Sequence, residues 1–292
     1  MISLFEQILL ALPLILGAYL SISLMKLPDL SLESAYVFGA ALAISLQDAE
    51  LSPELKIPLI FGASLAGGAL VGLTSSLLNQ YLRLPFLLGA IVTNGLFHGL
   101  TQFVLGQSIL SFNANFNPLA LLPFLPSHPE FGMLLCLNGV VLLGFLELFK
   151  RQLGLAYAIY GNNAQFFKHH GLSTRFVVLT GVCLAHACAG LSGYLFAQSN
   201  GFVDLTMGYG VVLMGLTSLI LGKLMFHSSY PNVAMPLVGL IAYFFIQQLL
   251  LNLGFDLKYF NAFQAIFVLV TLAIGHLRKS HHSILSLNHL GV

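Results

Sequence analysis

The chain has very little charge. Of its 292 residues, 7% are Asp, Glu, Lys or Arg, 11 basic against 10 acidic, and 58% are apolar. A soluble domain carries about 25% charged residues. This chain therefore lacks the polar surface that a water-facing fold needs, and most soluble enzyme classes are excluded with it. The mean hydropathy of +0.91 agrees. The net charge of +1 leaves no basic excess to hold nucleic acid. Tryptophan is absent, so any aromatic belt must rely on tyrosine. Cys136, Cys183 and Cys188 form neither a CxxC motif nor a disulfide framework, and all lie in apolar runs. They are expected to be small buried apolar side chains. There is no Walker A element: Gly222-Lys223 lacks both the preceding glycine and the following Ser or Thr. The histidine pairs His169-His170 and His281-His282 are adjacent, so each points to two faces of a helix, and no metal site is expected. No nucleophile–His–acid pattern is visible. Ser192, in Gly190-Leu-Ser-Gly193, lacks the GxSxG spacing and reads as small-residue packing.

What the chain does have is long apolar segments. A helix needs ~20 mostly apolar residues to cross the ~30 Å hydrocarbon layer. Nine candidates run roughly Ile2–Met25, Leu32–Leu46, Ile57–Leu78, Phe86–Gly106, Phe131–Phe149, Phe176–Gln198, Tyr209–Phe226, Val233–Leu253 and Phe263–His276. The second and ninth are short and the seventh is interrupted by glycine, as in transporters whose broken helices are buried in protein. Gly68-xxx-Gly72 and Gly95-xxx-Gly99 allow close backbone approach. Both are read as packing within one chain, with a contact between chains as the alternative. The start, Met-Ile-Ser-Leu-Phe-Glu, has no basic n-region, so the first helix is expected to stay. Lys150, Arg151, Lys168 and Arg175 follow the fifth segment, and Arg278 and Lys279 follow the ninth. The positive-inside rule places both groups in the cytoplasm, with Lys26 and Arg83. The C-terminus is then cytoplasmic, and the N-terminus and the acidic loop of Asp48, Glu50 and Glu54 lie outside.

The chain also repeats itself. Tyr19-Leu20 and Asp29-Leu30-Ser31-Leu32 recur as Tyr194-Leu195 and Asp204-Leu205-Thr206-Met207 at an offset of 175, and Ile57-Pro58-Leu59-Ile60 resembles Met235-Pro236-Leu237-Val238 at 178. The offset corresponds to five helices, an odd number, so the halves face opposite ways. The expected architecture is an all-α polytopic membrane protein with about nine transmembrane helices in two inverted repeats. It is one domain over 1–292: repeat one about 1–106, a linking helix and surface segment about 131–175, repeat two about 176–279. Inverted repeats are typical of transporters, with the pathway near their interface.

The segment from Lys150 to Arg175 predicts a short surface helix. Gly161 and Gly171 bracket it, with Asn162 as N-cap and Gly171 as the C-terminal stop. Ala164, Phe167 and Lys168 share a face, and Phe166 and Phe167 are expected to be exposed and in need of a cover. An ordinary interfacial linker remains the alternative. Gly161-Asn162-Asn163-Ala164 followed by Gly171-Leu-Ser, and the helix end Ala-Gly-Leu-Ser-Gly-Tyr-Leu at 189–195, resemble the membrane permeases of bacterial ABC importers. The likeness is to the branched-chain amino acid and ribose permease class, and closest to compact permeases of the tryptophan/tyrosine type. Asp29-Leu30-Ser31, Gly72 followed by Asn79, and the run Gly210 to Gly222 are similar to that class too. The chain departs from that class in a single glycine at Gly222-Lys223, in Phe226-His-Ser-Ser-Tyr-Pro231 where a glycine-rich loop is expected, and in lacking the first helix common in ribose permeases, which fits the expectation of an N-terminus outside.

The resemblance implies a bacterial inner-membrane, multi-pass permease subunit without an ATPase site. A cytoplasmic ABC ATPase would bind ATP and Mg, an extracytoplasmic binding lipoprotein would deliver a small solute (an amino acid, possibly aromatic), and two copies would form a homodimer. Gly161, Asn162, Asn163, Ala164, Phe167, Lys168 and Gly171 would form the coupling helix that docks on the ATPase.

Intramembrane polar residues mark candidate paths. Asn94, His98 and Gln102 form one stripe on the fourth segment, with interhelical hydrogen bonding as the alternative role. Asn138, Glu147, His186, Gln247 and Gln248 are the others, and Glu147 is placed to neutralise Lys150 or Arg151. A proton-coupled carrier would be expected to hold a lone Glu or His inside the bilayer; only His98, Glu147 and His186 qualify, and none has an obvious carboxylate partner, which disfavours the rival reading of a stand-alone secondary transporter.

Overall fold

The computed structural model describes residues 2–47, 52–112, 117–121, 129–170, 173–226, 232–256, 259–271 and 273. Among the described residues, six helices are long and apolar enough to cross a membrane, and three shorter apolar helices accompany them. All nine coincide with the segments expected from hydropathy. The protein is an all-α polytopic membrane protein.

Helix α1 (Ile2–Ala18) runs on into a π-helical turn at Tyr19–Leu24. Pro13 lies within α1, and Lys26 ends the segment in the left-handed region with φ 55°. An irregular stretch leads to α2 (Leu32–Ser45), only 14 residues long. Helix α3 (Pro53–Tyr81) starts with proline at its first position, where the missing N–H is not needed. Helix α4 (Phe86–Leu105) ends at Gly106, whose φ of 67° lets its N–H close back on the Gln102 carbonyl. Helix α5 (Pro129–Lys150) is followed by α6 (Gln152–Asn162) and α7 (Ala164–His169), then by α8 (Thr174–Asn200). Helices α9 (Val211–Met225), α10 (Ala234–Asn252) and α11 (Phe260–Thr271) complete the bundle. Strands β1 (Ile109–Ser111) and β2 (Phe202–Asp204) pair antiparallel, Ile109 opposite Asp204, and tie the ends of α4 and α8 together.

Helices α1, α2 and α8 form the buried centre, while α4, α5 and α10 expose broad apolar faces. Lipid supplies no hydrophobic drive between helices, so close packing must hold them. Small residues provide it. A Cβ on Gly72 of α3 would stand 2.8 Å from the His186 Cβ of α8, and one on Gly68 would collide with the His186 carbonyl. Gly190 of α8 would likewise strike the Ser64 carbonyl, and buried Ser192 donates to the Leu10 carbonyl of α1. The Gly68/Gly72 pair is thus an intrachain seam. A Cβ on Gly95 or Gly99 of α4, expected to pack the same way, would meet nothing within 4 Å among the described residues.

One end of the bundle gathers basic residues. Lys26 Nζ donates to Asn162 Oδ1 at 2.8 Å, Gln80 donates to the Arg175 carbonyl, and the Arg175 guanidinium stands 5.9 Å from the Tyr81 ring centre. Lys150 pairs with Glu147 at 3.0 Å, as expected, on an exposed surface where the pair adds little stability. The cysteine expectation fails in part. Cys188 is buried, but Cys136 is exposed on α5, because the outer face of a membrane helix is as apolar as its inner face.

Candidate functional site

Three polar assemblies stand out from this apolar background. The first lies at the irregular join between the π turn and α2. Asp29 is fully buried. Its Oδ1 accepts from the Ser31 N–H at 2.9 Å and from the Ser31 hydroxyl at 2.6 Å, and its Oδ2 accepts from the Ser75 hydroxyl of α3 at 2.6 Å. His186 of α8 closes the cluster. Its Nε2 is 2.8 Å from the Ser31 Oγ and 3.5 Å from Asp29 Oδ2, and its Nδ1 donates to the Val182 carbonyl at 2.8 Å. His186 thus has the carboxylate partner that the sequence did not reveal, because 155 residues separate Ser31 from it. A serine, a histidine and an aspartate do meet here, against expectation. All three are fully buried, and the carboxylate lies on the serine side of the ring, so the cluster is an internal brace with no access for a substrate.

The second assembly is a cavity of about 120 Å³ between α2, α4 and the stretch before α9. Glu33, Ser34, Asn94, His98, Thr101 and Tyr209 contribute its polar groups. Glu33, in the first turn of α2, accepts from the Gly210 N–H at 3.2 Å and from the Val212 N–H. Its carboxylate therefore caps the N-terminus of α9, where negative charge is favoured. Gly210 holds φ 84° there, so α9 starts at Val211 rather than at Tyr209. Ser34 donates to Asn94 Oδ1 at 2.6 Å, and Asn94 Nδ2 donates to the Leu30 carbonyl at 3.3 Å. Of the expected stripe, Asn94 and His98 line the cavity. Gln102 does not: its side chain is exposed, and Thr101 takes the place one residue earlier. Glu33 was missed, although an acid opening a short apolar segment was signal enough.

The third assembly is the surface segment after α5. It holds two helices where one was expected. Helix α6 is anchored: fully buried Tyr157 donates to Thr180 of α8, and a Cβ on Gly161 would collide with the Leu24 carbonyl at the end of the π turn. Gly161 is therefore a packing glycine inside α6 and not the start of the surface helix. Asn163, not Asn162, caps α7. Its Oδ1 accepts from the Gln165 and Phe166 N–H groups at 3.1 and 3.3 Å, while Asn162 receives Lys26. Ala164 opens α7. Phe167 is 4% exposed and tilts against Tyr160, so the expectation that both phenylalanines are exposed holds for one. Phe166 is 38% exposed and stacks on His170 at 4.1 Å. Lys168 lies in α7, and nothing is described of its side chain. Gly171, His281, His282, Arg278, Lys279, Asp48 and Glu50 lie outside the described residues.

The other polar residues are local. Asn138 donates to the Leu134 carbonyl, and Gln248 is exposed and donates to Asn252. The Gln247 Oε1 is buried without a partner. Among the described residues, no three His, Cys, Asp or Glu side chains converge as a metal site would require.

A family model described as "Branched-chain amino acid transport system / permease component" matches residues 3–272. An uncharacterized protein of Rickettsia prowazekii (strain Madrid E) is 28% identical over 262 residues, covering 88% of this chain and 90% of the relative. The tyrosine transport system permease protein of Clostridioides difficile (strain R20291) is 26% identical over 292 residues, covering 96% and 92%. No solved structure matches.

Proposed function

The chain belongs to the branched-chain amino acid transport system permease family, and from that premise we propose that it is the membrane-spanning subunit of an ABC importer, driven by a separate ATPase. The observation that carries this reading is the α6–α7 pair at the basic end. Buried Tyr157 and Phe167 fix the two helices to the bundle, and Phe166, stacked on His170, keeps 38% of its surface open as an apolar contact. A helix anchored to the bundle that presents a partly exposed aromatic suits the transfer of a partner's motion into the membrane. Asn162, Asn163, Ala164 and Phe167 build this mount, and Gly161, Lys168 and Gly171 are assigned to the same segment. ATP and Mg would be held by the cytoplasmic ATPase. The basic end would face the cytoplasm of a bacterial inner membrane, with the N-terminus outside. An extracytoplasmic binding lipoprotein would deliver the solute.

The path would run along α4, past Asn94 and His98. His98 and Gln102 are exposed polar side chains on a membrane-spanning helix, which lipid cannot satisfy. A second copy of the chain would cover them, and open Gly95 and Gly99 would let its backbone approach. The cavity carries a carboxylate, hydroxyls, the Asn94 amide and the His98 imidazole, with no Lys or Arg among its lining residues, which suits the ammonium group of an amino acid. The printed substrate of the Clostridioides difficile relative makes tyrosine the first solute to try.

One observation favours a second reading. The Asp29–His186 pair is the kind of buried acid–base couple that a stand-alone proton-coupled carrier would hold. Uptake of labelled tyrosine into cells expressing the chain with its native membrane partners separates the two. Uptake that needs ATP and survives collapse of the proton gradient supports the importer. Uptake that stops with the gradient and ignores ATP supports the carrier.

A further inference from the structure

The hydrogen bonds of the buried cluster can be counted, and the count comes out one proton above a simple carboxylate and a neutral histidine. His186 Nδ1 faces the Val182 carbonyl, which can only accept, so Nδ1 carries hydrogen. The Ser31 hydroxyl has one hydrogen and two short contacts, 2.6 Å to Asp29 Oδ1 and 2.8 Å to His186 Nε2. If that hydrogen goes to Asp29, then Nε2 must carry hydrogen to donate to Ser31, and the ring is an imidazolium. If it goes to Nε2, then Asp29 must carry hydrogen to donate to Ser31, and the acid is neutral. In either arrangement the pair holds the same extra proton and no net charge. The remaining state, an ionised Asp29 with singly protonated His186, leaves one of the two short contacts without a hydrogen. It also leaves an uncompensated charge at a fully buried site in the membrane.

Among the described residues, the contacts to Asp29 bring no second charged group besides His186. Ser75 from α3 spends its hydroxyl on Asp29 Oδ2, Gly72 presents only backbone, and His186 is the basic group that the ion pairs among the described residues bring to Asp29.

The geometry points to a buried one-proton site, in which Asp29 and His186 share a proton across the Ser31 hydroxyl and so latch the α1–α2 join to α3 and α8. This does not depend on the transport reading. The latch is neutral only as a unit. Pulling the join away from α8 would leave both an acid and a base to settle their charges separately. Movement at this join is therefore tied to proton occupancy.

Solid-state NMR on the full-length chain in phospholipid vesicles at neutral pH tests it. The aspartate carboxyl carbons, four in the chain, and the histidine ring nitrogens, in ten residues, carry the labels. Dipolar coupling between carboxyl and ring identifies the Asp29–His186 pair without a variant. The expected result is either a protonated Asp29 carboxyl or a His186 ring with hydrogen on both nitrogens. An ionised carboxyl coupled to a singly protonated ring overturns the proposal. Variants give a second readout. His186→Gln alone strands the carboxylate, and is expected to lose most of the folded protein. The double variant Asp29→Asn with His186→Gln removes the charge and is expected to recover a large part of it. Equal losses in the single and double variants overturn the proposal.

Discussion

Asp29 and Asp204 occupy corresponding places in the two halves and make the same turn. Asp29 Oδ1 accepts from the N–H and hydroxyl of Ser31 at 2.9 and 2.6 Å, and Asp204 Oδ1 accepts from those of Thr206 at 2.7 and 2.9 Å. Each turn follows a long helix and precedes a short one. Their surroundings differ. The first turn is fully buried and closed by Ser75 and His186, whereas the second is half-buried beside an exposed Thr206. The local tripeptide therefore sets the turn, since an Asp side chain reaches the N–H and hydroxyl two residues on in both places. Its energetic weight is set by helices far away in sequence, which deliver a histidine to Asp29 and leave Asp204 half-buried beside β1.

Five substitutions press on this comparison, and stability in detergent as a function of temperature measures them all. Asp29→Ala removes one partner of a buried pair and strands Ser31, Ser75 and His186, so a loss of about 3–5 kcal/mol is expected. A loss no greater than that of Asp204→Ala would erase the distinction between the halves. Gly72→Leu forces a side chain into the His186 ring and is expected to cost about 1–3 kcal/mol or more by overpacking. Gly95→Leu has open space and is expected to leave a single subunit's stability within about 0.5 kcal/mol. Should Gly95→Leu instead shift the protein from dimer to monomer in light scattering, the face of α4 is an interface between copies. Ser75→Ala leaves the Asp29–Ser31 turn intact and removes one hydrogen bond to a carboxylate, about 1.5–3 kcal/mol at most. Asp204→Ala, with its partner exposed, is expected to cost about 1 kcal/mol or less.

The same contrast between local pattern and distant partner explains what the sequence made legible. The spans were readable because lipid demands long apolar runs whatever the tertiary packing. The paired turns were readable as a repeated tripeptide. The contact to His186 was not, because no local pattern announces which residue of a distant helix faces a turn. GxxxG spacing had the same weakness. A Cβ on Gly68 or Gly72 would strike α8, while one on Gly95 or Gly99 would meet nothing within 4 Å among the described residues, and the spacing is identical. In the surface segment, two adjacent asparagines compete for one cap, and the choice fell on Asn163 because Asn162 is held by Lys26. Phe166 and Phe167 could not be told apart until Tyr160 was known to lie on one side.

The α6–α7 pair is the proposed docking surface for an ATPase. The direct test is purification of the tagged full-length chain from native membranes in mild detergent, wild type beside Phe166→Ala, with partners identified by mass spectrometry. The account predicts a Walker-motif ATPase in stoichiometric amount with the wild type and a marked loss of it in the variant, whose own folding should be little changed. A wild-type chain that comes down alone, under conditions that keep other membrane complexes together, would contradict it.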